Sequence, residues 1–273
     1  MPMGFRIREV ALPILAKGKD ELRILHFSDI HLTPYQRSSL RFIRSWSSLQ
    51  PDLVISTGDH ISSSRSIPLL IEALGELLDR PGFFVFGSND YFAPRLKNPF
   101  RYLMPDDGAR IHGKELPWKD LDGALSKGGW MNLTGLKSQV TIRGVSLEFR
   151  GTDDAHLGRD DYSLVAGPRA DVDLSIGVTH APYKRTIDAM SHDHVDLIFA
   201  GHTHGGQIRL PWFGGTRSLT TNSDLPNWRS RGLTRQPNES WLHVSAGMGH
   251  NPWTPIRLFS PKEATLISLQ ATT

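Results

Sequence analysis

The sequence predicts an α/β fold built on parallel strands, and three observations predict it. Short apolar runs alternate with longer stretches of helical periodicity over the first third of the chain. Ligand-type residues stand directly after several of the apolar runs, where α/β proteins bind their ligands, beyond the carboxyl ends of strands. Cysteine is absent from the 273 residues, so neither a disulfide framework nor a thiolate metal site holds the chain together.

Each element has its own signal. Residues 22–28, Leu-Arg-Ile-Leu-His-Phe-Ser, read as a buried strand. Residues 38–49 carry Leu40, Ile43, Trp46 and Leu49 at helical spacing, and Pro51 closes that helix. Residues 53–57 form a second strand. Residues 68–78 form a strongly apolar helix with a proline at its start. Residues 82–87, Gly-Phe-Phe-Val-Phe-Gly, form a third buried strand. A β-α-β-α-β order implies parallel strands with right-handed crossovers. Later strands near 140–142, 146–150, 174–178, 197–200, 242–244 and 265–269 are expected to build a second sheet. Two segments fit neither period. Residues 91–129 are rich in Pro, Gly and charge, with Arg95, Lys97, Arg101, Arg110, His112 and Lys114. Residues 211–240 hold Trp212, Phe213, Arg217, Trp228, Arg229 and Arg231. Both are expected as loop insertions bordering the site, where loops on a rigid scaffold carry specificity.

Length and composition bound the rest. A chain of 273 residues suits one domain spanning 1–273 with a full core. A formal charge of +3 suits an anionic substrate and gives no strong nucleic-acid signal. No stretch approaches ~18 consecutive apolar residues, so no membrane span is expected. The N-terminus lacks the apolar core of a signal peptide. The expectation is a cytoplasmic protein, with peripheral membrane contact and oligomeric state left open.

The ligand-type residues fall into short motifs. Asp29-Ile30-His31 ends the first strand, and Gly58-Asp59-His60 ends the second. His180 follows residues 174–178, and Gly201-His202-Thr203-His204-Gly205 follows residues 195–200. Together these strands bring Asp29, His31, Asp59, His180, His202 and His204 to one crevice. Imidazole and carboxylate ligands suit Mn, Fe or Zn, and carboxylates without thiolates argue against a structural zinc site.

Asp-x-His, Gly-Asp, a Gly-Asn-like turn, a strand-end His and Gly-His-x-His, in that order, resemble the signature of calcineurin-like metallophosphoesterases. Residues 244–249 and the run from Pro255 to Phe259 resemble the closing segment of a bacterial branch of that family. The resemblance covers residues 22–269. It implies a two-sheet β-sandwich flanked by helices and a centre of two divalent metal ions, with Mn first and Fe or Zn as alternatives. It puts Asp59 between the two ions, Asp29, His31 and His204 on the first, and His180 and His202 on the second. The implied reaction is hydrolysis of a phosphodiester, of nucleotide or phospholipid type, by attack of a metal-bound hydroxide. A phosphomonoesterase or nuclease is the alternative, and a non-catalytic metal-binding scaffold a further one.

The chain departs from the family's Gly-Asn-His-Asp turn, reading Gly87-Ser88-Asn89-Asp90. Without a gap, Ser88 takes the ligand position. With a slip of one residue, Asn89 is the second-metal ligand and Asp90 follows it. The second alignment is preferred, because a neutral hydroxyl is a weaker ligand than an amide oxygen. Either way the usual catalytic histidine is missing. Asp59, Asn89, Asp90 and His60 are therefore the catalytic candidates, and His250 and Arg95 the substrate-binding ones. His156, after Asp153 and Asp154, is a further candidate, whereas His26 reads as a core residue.

Overall fold

The computed structural model describes residues 4–95, 112–213, 215–253 and 256–272; Lys97, Arg101, Arg110 and Pro255 lie outside the described residues. In chain order the elements are β1 (Phe5–Leu15), β2 (Leu22–Phe27), α1 (Arg37–Arg44), β3 (Leu53–Ser56), α2 (Ser66–Leu74), β4 (Gly82–Phe84), α3 (Ser88–Tyr91), α4 (Trp118–Lys127), β5 (Trp130–Asn132), β6 (Lys137–Ile142), β7 (Val145–Gly151), β8 (Leu174–Val178), α5 (Lys184–His192), β9 (Leu197–Ala200), β10 (Arg209–Trp212), β11 (Gly215–Ser218), β12 (Gly232–Arg235), β13 (Trp241–Val244) and β14 (Lys262–Ala271).

Two six-stranded sheets form the frame, in the orders β1-β14-β2-β3-β4-β5 and β12-β13-β9-β8-β7-β6. Strands β2 to β5 run parallel, as do β7, β8, β9 and β13. Side chains alternate across a strand, and here both faces are apolar. Ile24, Leu53, Ile55 and Phe83 point between the sheets, where they meet Phe149, Ile176, Leu197 and Phe199. The Phe83 and Phe149 rings stack with centroids 3.9 Å apart. Leu25, Val54 and Phe84 point outward, under Phe42, Ile43 and Trp46 of the first helical segment, Leu70 and Leu74 of α2, and Leu121 and Leu125 of α4. On the other sheet, Ile198, Leu242 and Val244 pack under Ile187 and Met190 of α5. The expected two-sheet architecture flanked by helices is the one observed. His26 is a core residue: its Nδ1 lies 2.7 Å from His243 Nδ1 and its Nε2 3.0 Å from Thr57 Oγ1.

Several expectations need correction. The strand near 265–269 joins the first sheet, not the second: β14 lies between β1 and β2, antiparallel to β2. The helix expected over 38–49 is α1 followed by a 3-10 turn, Ser45–Leu49. The helix expected over 68–78 ends at Leu74, because Gly75 takes φ 48° and a 3-10 turn follows. The segment 91–129 contains α4, whose Leu121 and Leu125 stand one turn apart and are both buried. The segment 211–240 contains most of the β10–β11 hairpin and all of β12.

Stacked aromatics between the sheets predict a specific energetic cost. Phe149→Ala should lower the stability of the folded chain by about 3–5 kcal/mol, read from urea unfolding. Phe149→Leu, which keeps most of the volume, should cost clearly less.

Candidate metal centre

The crevice lies beyond the carboxyl ends of β2, β3, β8 and β9, and each strand end delivers its residues by an unusual backbone. Asp29, His31, Asp59, His202 and His204 all have positive φ, between 47° and 67°. Side chains rarely adopt this region, and it persists where the surroundings over-determine it. Here backbone bonds do so: Asp29 N–H donates to Gly58 O at 2.9 Å and His31 N–H to Asp59 O at 2.9 Å. Two glycines permit the close approach. A Cβ on Gly87 would overlap Asp59 Oδ1 and His180 Cε1, and one on Gly201 would overlap Ser28 Oγ.

The side chains then converge. His31 Nε2 lies 3.3 Å from His204 Nε2 and 3.4 Å from Asp59 Oδ2. His180 Nε2 lies 3.6 Å from the same Asp59 oxygen and 3.3 Å from His202 Nδ1. His204 Nε2 lies 3.9 Å from Asp29 Oδ1. Asp29 also accepts from the His202 N–H, at 2.9 Å to Oδ2, and from the Ser28 hydroxyl. Asn89 sits on Asp59, with its backbone N–H on Oδ1 and its amide on Oδ2, both at 2.7 Å. His180 Nδ1 donates to Thr57 O at 2.6 Å, which fixes the ring and aims Nε2 at Asp59. His202 Nε2 lies 3.0 Å from both the carbonyl and the amide of Asn222.

Burial sets the charges. It raises Asp59, but His180, His31 and the Asn89 N–H outweigh it and hold the carboxyl at about 2. Asp29 is raised, chiefly by burial. Burial lowers His180, but Asp59, Asp154 and Asp29 together push it up to about 9. His202 and His204 are driven well below their ordinary value by burial and by neighbouring cations, which favours the neutral form that ligates metal. Asp154, buried beside this group, is raised to about 7, mainly by burial.

These residues fit a cation. The ligand atoms of Asp29, His31 and His204, and those of Asp29, Asp59 and His180, form groups in which every atom lies within 4.8 Å of the others. His31 and His204 turn their Nε2 atoms into this group.

The other candidates separate into two sets. Ser88, Asn89 and Arg95 line the crevice. Asp90 and His60, also expected at the reacting centre, are turned to each other beneath the loop. Asp90 is fully buried; it accepts from the backbone N–H of His60 (2.7 Å), Ile61 (3.3 Å) and Gly87 (3.0 Å) and from His60 Nδ1 (3.0 Å). His60 Nε2 is turned to Ser56 Oγ at 2.7 Å. The pair ties the β3 loop to the Gly87 turn. His250 is half-buried beside Asn251 O at 3.2 Å, and Asn251 takes its place in the crevice wall. The wall also holds His112, His156, Gln207 and Asn222. The His156 ring lies 4.5 Å from that of His202. Asn222 sits in a polar run with no spacing signal to mark it.

The family model of calcineurin-like phosphoesterases matches residues 22–206. The chain belongs to that family. It is 41% identical, over 90% of its length and 83% of the relative's, to the UDP-2,3-diacylglucosamine pyrophosphatase of Chlamydia muridarum. It is 28% identical to the transmembrane protein with metallophosphoesterase domain of Bos taurus, over 96% of this chain and 56% of that one. An uncharacterized metallophosphoesterase of Bacillus subtilis is 25% identical over 95% of this chain and 82% of its own. The chain thus spans little more than half the length of the vertebrate relative. Among the described residues no helix is long and apolar enough to cross a membrane.

The four bonds on Asp90 generate a prediction. Asp90→Asn puts an amide donor against N–H donors in a buried site and should cost about 1–3 kcal/mol of stability. Thermal unfolding at neutral pH measures it, and unchanged stability would show that the carboxylate does not tie the two loops.

Proposed function

We propose that the chain is a metal-dependent phosphoesterase that hydrolyses a diester or pyrophosphate ester at a centre of two divalent cations. One observation carries this reading: Asp59 Oδ2 stands between His31 Nε2 and His180 Nε2, at 3.4 and 3.6 Å, with imidazoles on either side. Asp29, His31 and His204 would hold one cation. His180, His202 and Asn89 would hold the other, with Asp59 shared between them. Asp29 belongs to both compact ligand groups, so it too ties the two halves. Divalent cations in such a pair supply Lewis-acid activation of water and offset the charge that grows at phosphorus. Manganese is the preferred ion, with iron or zinc as alternatives suited to the same donors.

The chain's own residues supply the rest. Thr57 O orients His180, and Asn222 orients His202, the support that ligating imidazoles need. A half-turn of the Asn89 amide exchanges its oxygen and nitrogen and makes the oxygen available to a cation. Arg95, His112 and Asn251 line the wall and would bind phosphoryl oxygens. Asp90 is sealed beneath the loop, so leaving-group protonation does not fall to the residue after Asn89. Protonation of the leaving group would then fall to water or to an imidazole of the crevice wall, His112 or His156. The 41% identical relative is named a UDP-2,3-diacylglucosamine pyrophosphatase, which supports a pyrophosphate diester as substrate class.

Asp59→Asn should lower hydrolysis of a chromogenic diester by at least ~10²-fold and reduce bound metal. Near-native rate with full metal content would refute the shared-ligand role. The turn gives a second outcome. Asn89→Ala should lower metal occupancy, measured by elemental analysis, while Ser88→Ala leaves it nearly unchanged. The reverse pattern would place Ser88 at the ligand position.

A further inference from the structure

The hairpin of β10 and β11 begins just after the Gly-His-Thr-His loop and presents two unlike faces. Arg209 points inward, where its guanidinium donates to Gly205 O at 2.9 Å, Ser230 Oγ at 2.8 Å and Thr216 O at 2.6 Å. Leu210 and Trp212 alternate out of step with it, and both are exposed, Trp212 to 58%. Arg217 pairs with Leu210 across the hairpin and shares that outer face. Its guanidinium lies 5.4 Å over the Trp212 ring. Phe213, at the turn, is 97% exposed, with its ring 6.2 Å from that of Trp212. Leu258, bridged to Ile208, extends the exposed apolar surface. Single exposed apolar residues are ordinary, but a contiguous set marks an interaction surface.

We propose that this face docks the protein on an anionic lipid surface, with Trp212 and Phe213 entering the acyl boundary and Arg217 meeting headgroup phosphates. Charge complementarity selects the occupant. No carboxylate among the described residues forms an ion pair with Arg217, whose guanidinium lies over the exposed Trp212 ring. A cation held above an amphipathic ring matches the order of a membrane interface, charge at the headgroups and aromatic body below. Phe213 stands clear of its own body, so whatever covers it must close around it. A fluid acyl layer does so without a preformed cavity, which a protein partner or second copy would have to supply. Gln207, two residues before the hairpin, lines the crevice, so docking by this face would hold the crevice mouth near the lipid surface.

Vesicle co-sedimentation of the full chain tests this without substrate, so its outcome is independent of the hydrolase reading. The chain should partition onto phosphatidylglycerol–phosphatidylcholine vesicles and much less onto phosphatidylcholine alone. The double variant Trp212→Ala/Phe213→Ala should bind at least ~10-fold more weakly. Arg217→Glu should bind at least ~5-fold more weakly, a difference that shrinks as salt is raised. Both variants alter exposed side chains, so their melting temperatures should match the native chain's. Three results would overturn the proposal: no binding to either vesicle, equal binding of native chain and variants, or a dimer in light scattering that the double variant dissociates. The last would assign the face to a second copy.

Discussion

The hydrogen-bond ladder between β2 and β3 does not stop where the strands stop, and the candidate site depends on that continuation. Thr57 N–H donates to Phe27 O at 3.1 Å, Asp29 N–H to Gly58 O, His31 N–H to Asp59 O, and Leu32 N–H to His60 O at 3.0 Å. The ladder thus runs through three side-chain-bearing residues of positive φ, Asp29, His31 and Asp59. Each such residue costs about 1–3 kcal/mol. The backbone bonds and the apolar layers on both sides of the first sheet hold them there. Asp29 and Asp59 are placed by main chain rather than by rotamer choice, so their separation is as rigid as the sheet itself.

That rigidity has an electrostatic consequence. Asp29, Asp59, Asp154, His31, His180 and His202 are buried together, with the partly exposed His204 beside them. Buried charges are tolerated only when paired, and here the pairing is incomplete. Asp29 and Asp154 are pushed up, His202 and His204 down, and Asp154 Oδ2 lacks a hydrogen bond among the described residues. A cluster this poorly balanced on its own is the environment a multivalent cation would relieve. Its burial is sustained by the inter-sheet core and by the helices over the outer faces, which owe nothing to the site.

Much of this was legible in the sequence, for a definite reason. The first strands are buried on both faces and read as mostly apolar runs, broken in β2 only by Arg23 and His26, so their ends, and the ligand-type residues at those ends, were easy to locate. Asp29, His31, Asp59, His180, His202 and His204 were brought to one place by strand order alone. What was not legible rests on long-range pairing or on contacts without periodicity. Nothing local in 262–271 tells that β14 enters the first sheet beside β2. β1 alternates at an edge and makes no motif. The β10–β11 hairpin has a tryptophan and a phenylalanine on its surface and resembles a loop. His60 and Asp90 carried the chemistry of catalytic groups, but their direction was decided by mutual hydrogen bonding beneath the loop. Asn222 and His112 reached the crevice from segments with no spacing signal.

In the proposed centre two cations share Asp59. Anomalous diffraction at the manganese edge, from crystals grown with Mn²⁺, tests it most directly. Two peaks about 3.5–4 Å apart, with the Asp59 carboxylate between them and Asn89 beside the one nearer His180, are the predicted result. A single peak, or two peaks neither of which Asp59 reaches, would contradict it.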